Sequence, residues 1–147
     1  MSIKNTYYRY AGHTVTLLQV HIVFATKYRY KTLTGDLKLR ARYIIRQICD
    51  AEDVHIISGN LSTDHIHLFL EYPPRVSVSN LIKKIKGRTS RKLQLEFPKL
   101  KQKYWGRHLW AIGYAAFAVG KIDKDTIENY INNHLTKPNK KTALKTS

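Results

Sequence analysis

Apolar residues that alternate with polar ones or cluster in short runs predict four β-strands. Residues 17–25 alternate apolar and polar side chains, which is the pattern of a half-buried strand. Two β-branched runs at residues 54–61 and 65–72 are joined by a short polar link, so they predict a β-hairpin. Residues 110–119, rich in small and aromatic side chains, predict the fourth strand. Residues 1–16 show no clear period and are predicted to form an irregular basic arm.

Three longer segments carry apolar residues at helical spacing. Residues 36–52 and 78–97 each place leucine and isoleucine on one face and most of their basic side chains elsewhere. We expect Asp36 to cap the first helix and Pro98 to stop the second. A final helix is predicted at residues 123–135. This order of elements predicts an α+β fold, a ferredoxin-like antiparallel β-sheet sandwich with one C-terminal helix appended.

Length and charge narrow the class of protein. With 147 residues the chain has the size of one domain, which we place at residues 1–136, and the lysine-rich residues 137–147 are predicted to be a disordered tail. Lys and Arg number 26 against 10 Asp and Glu, a formal charge of +16. Such an excess favours phosphate polymers as partners, with nucleic acid first and a membrane surface second.

Two further features bear on the cellular compartment. No apolar run approaches the ~20 residues that cross a bilayer, and no secretory signal is visible, so we expect a cytoplasmic protein. The single cysteine, Cys49, excludes an intramolecular disulfide and a cysteine-based zinc finger. Cys49 is therefore expected to be a small core residue.

The most informative motif is a pair of histidines in the second strand of the hairpin. His65 and His67 are two residues apart and therefore lie on one face, whereas Ile66 and Leu68 lie on the other. Two imidazoles on one face form a bidentate metal site. An isolated pair is also found on ordinary solvated sheet faces, so the rest of the sequence has to decide between the two interpretations.

The predicted C-terminal helix supplies that context. Tyr130 and His134 are four residues apart on one side of the helix, while Ile127 and Ile131 mark its packed side. A tyrosine one turn from a potential metal ligand, in a protein suited to phosphate polymers, fits a phenolate nucleophile beside a cation that polarises phosphate. By itself the pair is weak evidence, since a tyrosine on a short helix usually only packs its ring.

Together these motifs resemble those of the small single-tyrosine HUH transposases encoded by insertion sequences of the 200/605 group. The resemblance covers about residues 15–135 and rests on the strand DHIHLFLEYPP, the connector WGRHLW and the helix motif YINNH. It implies that His65 and His67 are metal ligands and that Tyr130 is the nucleophile. By the same resemblance His134 takes the place of the third ligand, where the family often has glutamine.

The resemblance also implies the reaction. Such a transposase cleaves and rejoins single-stranded DNA without ATP, holds the 5′ end as a phosphotyrosine, and thereby excises and inserts a mobile element. The implied cofactor is Mg²⁺ or Mn²⁺; imidazole ligands suit Mn²⁺ better, whereas Mg²⁺ is more abundant in cells. The implied partners are single-stranded DNA, with hairpins at the element ends, and a second copy of the chain in a homodimer with shared active sites.

Basic and aromatic side chains outside these motifs are candidates for DNA contact. The second predicted helix offers a row of cations for the phosphate backbone: Lys83, Lys84, Lys86, Arg88 and Arg91. For any one of them, a solvated helix face is an equally good interpretation. Tyrosines beside basic residues at 7–10 and 28–31 can stack on unpaired bases or pack in the core. We expect Trp105 and Trp110 to be core anchors.

The remaining histidines and the carboxylates have smaller predicted roles. Asp64 and Glu71 can orient an imidazole, or serve only as turn and surface residues. The ten carboxylates are scattered and do not supply the converging set that two-metal phosphoryl transfer needs. Four histidines have no partner at ligand spacing in the sequence and are treated as non-catalytic: His13, His21, His55 and His108.

Two non-enzymatic functions remain open. A ferredoxin-like sheet with a basic surface is also the shape of RNA-recognition modules, but the aromatic strand signature of those modules is absent. The second is a protein that organises DNA architecture, in which the histidines have no catalytic role. A covalent protein–DNA adduct formed in the presence of Mn²⁺ would exclude both.

Overall fold

A short β-hairpin precedes the main sheet. The computed structural model describes residues 8–105, 108–118 and 131–132. In it, β1 (Arg9–Ala11) pairs antiparallel with β2 (Thr14–Thr16) across a tight turn. Gly12 in this turn has a φ of +58°, a conformation that favours glycine. The prediction of an irregular arm is therefore wrong for these residues, because three-residue strands are too short to show a period.

The main sheet has four antiparallel strands. They are β3 (Leu18–Ala25), β4 (His55–Leu61), β5 (His65–Tyr72) and β6 (Ala115–Ala118). Their order across the sheet is β4-β5-β3-β6, so that β5 and β3 are central and β4 and β6 form the edges. This is the strand order of a ferredoxin-like fold, and it confirms the predicted α+β class.

The two long helices begin and end close to their predicted limits. Helix α1 spans Gly35–Ala51 and helix α2 spans Val78–Glu96. Ser77 caps α2, since its side chain accepts a hydrogen bond from the backbone N–H of Asn80 at 3.3 Å. The cap predicted for α1 is wrong: Asp36 lies inside the first turn, where its charge still complements the helix dipole, and Thr34 occupies the cap position.

Both helices cover one face of the sheet. The core between them contains the inward-facing residues of the strands, such as Phe24, Ile66 and Leu68, and Ile45 and Ile82 from the helices. Burial of these side chains supplies the main driving force for folding. Cys49 is buried in the same core, as predicted, and burial raises the pKa of its thiol to about 12.

The two tryptophans behave differently. Trp110 is buried edge-on against Phe24, and its indole N–H donates a hydrogen bond to Thr89 Oγ1 at 2.8 Å. This confirms Trp110 as a core anchor. Trp105 is 85% exposed, so the same prediction is wrong for it. It follows the buried Tyr104 in a turn at the end of a short helix, and it does not reach the core.

The segment between α2 and β6 is more structured than predicted at its start and less so at its end. Helix α2 ends before Pro98, as expected, but this proline occupies the first turn of a further helix, α3 (Pro98–Lys103). The fourth strand of the sheet, β6, is shorter than the predicted 110–119. Gly113 has a φ of +92°, and Lys86 donates hydrogen bonds to the carbonyls of Ala111 and Gly113. These carbonyls therefore face α2 rather than a neighbouring strand.

The predicted C-terminal helix and tail lie mostly outside the described residues. Residues 131–132 are helical. Tyr130 and His134 are not among the described residues, and neither is the predicted tail at 137–147. Within the described ranges, no helix is long and apolar enough to cross a membrane.

Candidate active site

The structure places His65 and His67 side by side on the sheet face that the two long helices leave uncovered. Both side chains are half-buried, whereas Ile66 and Leu68 between and after them are buried in the core. In the register of the sheet, His65 lies opposite Ala25 and His67 opposite Val23. The predicted alternation of β5 is therefore confirmed. We call this uncovered surface the histidine face.

Asp64 holds the imidazole of His65 in one orientation. Its Oδ1 lies 2.8 Å from Nδ1 of His65, and its Oδ2 lies 2.8 Å from Nη2 of Arg29. Burial raises the pKa of Asp64, but the hydrogen bond from His65 and the charge of Arg29 outweigh that effect, so the pKa lies below its ordinary value. An ionised carboxylate only accepts hydrogen bonds, so Nδ1 of His65 donates and Nε2 is left free to bind a cation.

Arg29 reaches Asp64 from a strained turn. A short 3-10 helix, Lys27–Arg29, follows β3, and both Tyr28 and Arg29 adopt left-handed backbone conformations, with φ of 62° and 56°. Such conformations are uncommon for residues other than glycine and cost free energy. Arg29 contacts Oδ2 of Asp64 through both Nη2 and, at 3.0 Å, Nε, and this charged contact offsets part of that cost.

His67 is in contact with a third histidine, His21, on the neighbouring strand β3. Nδ1 of His21 lies 3.0 Å from Nε2 of His67, and the His21 ring stacks on Phe69 at a centroid distance of 4.3 Å. Burial lowers the pKa of both imidazoles, so the pair is neutral near pH 7, with one ring donating and the other accepting. Coordination of a cation by Nε2 of His67 has to replace this hydrogen bond.

The interpretation of His21 as a residue without a partner is wrong. Its partner lies 46 residues further along the chain, so spacing within one segment does not show it. The period-two pattern of residues 17–25 does place His21 on the polar face of its strand. That signal becomes informative only once β3 and β5 are known to pair.

The histidine face also carries a small apolar cluster. Val23 and Ala25 of β3, Ala115 of β6 and Ile131 pack together there, with Phe117 at the margin. Ile131 is 7% exposed, which confirms the prediction that it marks the packed side of its helix. The helical residues 131–132 therefore lie against the same surface that presents His65 and His67.

Glu71 orients a different imidazole from the one that sequence spacing suggests. Its side chain is fully buried and contacts Arg9 of β1 at 2.7 Å and Nδ1 of His55 on β4 at 2.9 Å. It therefore ties the N-terminal hairpin and an edge strand to β5. It does not contact His65 or His67 in the described structure.

The five candidate DNA-binding cations lie on two sides of α2. Lys84 forms an ion pair with Glu52, and Arg88 is near the same carboxylate. Lys83, Lys86 and Arg91 line a groove on the other side of the helix. Lys86 holds the 111–113 segment in place, and burial lowers the pKa of its ammonium group. The row predicted from sequence is thus divided between two surfaces.

The aromatic candidates in the described part of the chain are exposed at their rings. Tyr8 and Tyr10 are 54% and 75% exposed, and Tyr28 and Tyr30 are 49% and 37% exposed. The last two rings are adjacent, with centroids 5.4 Å apart. Tyr7 lies outside the described residues. These exposures favour base stacking for Tyr8, Tyr10 and Tyr28, whereas the Tyr30 ring also packs against the buried Tyr104, with centroids 5.5 Å apart.

Comparison with known proteins finds related sequences over most of the chain. The family described as "Transposase IS200 like" matches residues 14–134. The transposase for insertion sequence element IS200 of Salmonella typhimurium is 38% identical over 124 residues, covering 84% of this chain and 81% of that relative. The ISDra2 transposase TnpA of Deinococcus radiodurans is 30% identical over 114 residues, covering 78% and 81% of the two chains.

Solved structures show the same fold. A crystal structure from Deinococcus radiodurans, described as that of a transposase, superimposes with a TM-score of 0.78 at 29% identity and covers 85% of this chain and 96% of that chain. A REP-associated tyrosine transposase bound to a REP hairpin superimposes with a TM-score of 0.55 at 15% identity, covering 84% and 71% of the two chains. The histidine face, the strand order and these matches lead to one conclusion: the chain belongs to the IS200-like transposase family.

Proposed function

We propose that this transposase cleaves and rejoins single-stranded DNA through a covalent bond to Tyr130, with a divalent cation held at the histidine face. The observation that carries the proposal is the packing of Ile131. This residue directly follows Tyr130 in the chain and is buried against Val23 and Ala25, which lie opposite His67 and His65 in the sheet. The residue directly after the candidate nucleophile is thus packed on the histidine face, which supports the assignment of Tyr130 to this site.

In the proposed reaction, the phenolic oxygen of Tyr130 gives its proton to water and attacks the phosphorus of a phosphodiester. A bond forms between that oxygen and the phosphorus, the bond to the 3′ oxygen breaks, and the 3′ oxygen takes up a proton from water. The 5′ end stays on the protein as a phosphotyrosine. Because one phosphodiester replaces another, the reverse step rejoins DNA ends without ATP.

The residues of the histidine face suit a divalent cation, Mg²⁺ or Mn²⁺. His65 has one ring nitrogen fixed by Asp64 and the other free, which is the usual arrangement of a metal-binding histidine. The described residues contain no group of three or more potential ligands, so His65 and His67 require a further ligand, for which His134 is the candidate. When bound, the cation would neutralise charge on the phosphate under attack.

We further propose that the transposase acts in the cytoplasm as a homodimer on single-stranded element ends that contain hairpins. The exchange of two DNA ends needs two nucleophiles, and this chain offers one candidate tyrosine. The edges of the sheet, β4 and β6, offer backbone groups for association with a second copy. In the single chain Ile131 packs on the histidine face of its own chain. In the dimer that we propose, the tyrosine helix of one subunit takes this position on the histidine face of the other and completes its site.

The deciding experiment is the capture of the phosphotyrosine. Labelled single-stranded DNA incubated with wild-type protein and Mn²⁺ should give an adduct that survives denaturant. Tyr130→Phe should give none, because the nucleophilic oxygen is gone. Tyr43→Phe, an exposed tyrosine on α1, is the matched control and should behave as wild type. Adduct formation by the Tyr130 variant would remove this residue from the mechanism.

Mixing two inactive variants tests the shared site. Tyr130→Phe protein combined with the double variant His65→Ala/His67→Ala forms heterodimers in which one site holds both defects and the other holds none. Cleavage should then reappear. If subunit exchange is verified independently and cleavage does not return, the shared site is rejected while the tyrosine chemistry stands.

A further inference from the structure

A basic groove separates α2 from the segment that leads into β6. It has a volume of about 1080 Å³ and is lined by one side of α2, residues 108–114, Lys27 and Lys101. The two walls are fastened together by Lys86, whose ammonium group donates to the carbonyls of Ala111 and Gly113 at 2.9 Å and 2.8 Å. Residues at the ends of this loop are also anchored, since Leu109 N donates to Ser90 Oγ at 3.2 Å. Hydrogen bonds between its two walls therefore hold the groove in shape in the described structure.

The charged side chains that line the groove are all positive in the described structure. Five cationic side chains line it, namely Lys27, Lys83, Lys86, Arg91 and Lys101. Among the described residues of its lining there is no aspartate or glutamate. The opposite side of α2 differs, because Lys84 is neutralised there by Glu52. A groove of unopposed positive charge favours a polyanion.

Gly87 lies in the wall of this groove, in the middle of α2. Glycine disfavours a helix more than any residue except proline, so an exposed glycine in a helix interior needs a reason. Packing within the protein supplies none: no described atom lies within 4 Å of the place a Cβ would occupy. A ligand whose own backbone passes close to the helix would account for the missing side chain.

The rim of the groove offers apolar surface beside the charge. Ile112 is 95% exposed and Tyr114 is 37% exposed, and both lie on the loop side. Single-stranded nucleic acid combines a charged backbone with flat apolar bases, and proteins bind it with cations and stacking surfaces arranged along one channel. Duplex DNA buries its base faces and cannot use such a rim.

We infer that this groove binds a segment of single-stranded DNA, with the phosphate backbone passing over Gly87 between Lys83 and Arg91 and bases resting on Tyr114 and Ile112. The inference rests on the proposed function and adds a second DNA-binding site to it, on the helix-covered side of the sheet. The groove would hold DNA away from the scissile phosphate and position the strand for cleavage.

Gly87→Ala tests the inference because it should raise the stability of the protein and lower its affinity for DNA. Alanine favours the helix, so the thermal unfolding midpoint should rise. The added methyl group obstructs the backbone, so the affinity for a fluorescent oligothymidine should fall at least fivefold. Binding is measured without a divalent cation, so that no cleavage occurs. A more stable protein that binds DNA as wild type does would overturn the inference.

Two variants that each remove one positive charge from α2 provide a second test of the inference. Lys83→Gln removes a cation from the groove, whereas Lys84→Gln removes one from the opposite side of the same helix. Lys83→Gln should weaken binding about threefold to tenfold and lower the slope of log affinity against log salt by about one. Lys84→Gln should change binding less than twofold. Equal losses of DNA affinity in the two variants would show that DNA is attracted to the basic protein in general, and they would overturn the inference that it binds in the groove.

The experiments can reject DNA binding in the groove and the proposed reaction independently of each other. Wild-type protein that forms the phosphotyrosine adduct, together with unaltered binding by Gly87→Ala, rejects the groove and leaves the reaction in place. Wild-type protein that forms no adduct rejects the reaction, whatever the binding measurements show.

Discussion

The two ends of strand β5 carry the same three-part cluster and use it differently. At the first end, Asp64 lies between Arg29 and His65; at the other, Glu71 lies between Arg9 and His55. Each cluster has one carboxylate, one arginine from a distant segment and one imidazole. The difference is in what each imidazole faces. His65 presents its second nitrogen on the histidine face, whereas the His55 side chain is 53% exposed at an edge strand.

The two carboxylates also differ in how deeply they are buried. The Glu71 side chain is 1% exposed and that of Asp64 is 12% exposed. Arg9 extends from β1 to Glu71 and also donates to Asp53 at 2.7 Å, so the Glu71 cluster joins the N-terminal hairpin to the sheet. The same carboxylate and imidazole pair therefore has a structural role at the Glu71 end, and only the Asp64 end, on the histidine face, fits the cation site that we propose.

The largest expected effect is on stability at the Glu71 end. Glu71→Gln removes the buried charge that pairs with Arg9 and should lower the free energy of unfolding by about 3 kcal/mol, measured by urea denaturation. The affinity for Mn²⁺, measured by calorimetry on the folded variant, should stay within twofold of wild type. A loss of metal affinity without a loss of stability would reverse the roles assigned to the two carboxylates.

A smaller effect, on metal affinity, is expected at the Asp64 end. Asp64→Asn keeps the size of the side chain but weakens the hydrogen bond that orients His65, so the affinity for Mn²⁺ should fall about tenfold or more. The matched control is Glu71→Gln, at the other end of β5. If Asp64→Asn binds Mn²⁺ as tightly as wild-type protein, the orienting role of Asp64 is refuted.

The smallest effect is expected for the exposed imidazole. His55→Gln should change the free energy of unfolding by less than about 1 kcal/mol, because the His55 side chain is half exposed and Glu71 keeps its contact with Arg9. DNA cleavage should be unaffected. Impaired cleavage in this variant would extend the active site to β4 and weaken the contrast between the two ends.

The fold and half of the candidate site follow from local patterns in the sequence. Alternation in β5 correctly places His65 and His67 together and Ile66 in the core, since strand geometry fixes which side chains share a face. The contact between His21 and His67 depends on the register of two strands far apart in sequence. Local sequence patterns contain no such information, so they do not predict the contact of His21 with His67.

Loops and short elements account for the remaining differences. Trp105 is a large aromatic residue of the kind that usually lies in a core, but it lies in an exposed turn. The loop before β6 takes its shape from hydrogen bonds that Lys86 donates. Both depend on tertiary contacts. The roles of Tyr130 and His134 come from the family resemblance and stay predictions.

The interior position of β5 has a consequence for motion. This strand is hydrogen-bonded along its length to β3 and to β4 on its other side, so its backbone amides have partners in two directions. Amide protons at Ile66 and Leu68 should exchange with deuterium only when the whole domain opens, while those of the edge strand β6 should exchange through local fluctuations. His65 and His67, which lie on the same strand, would then keep their relative positions while the edge of the sheet fluctuates.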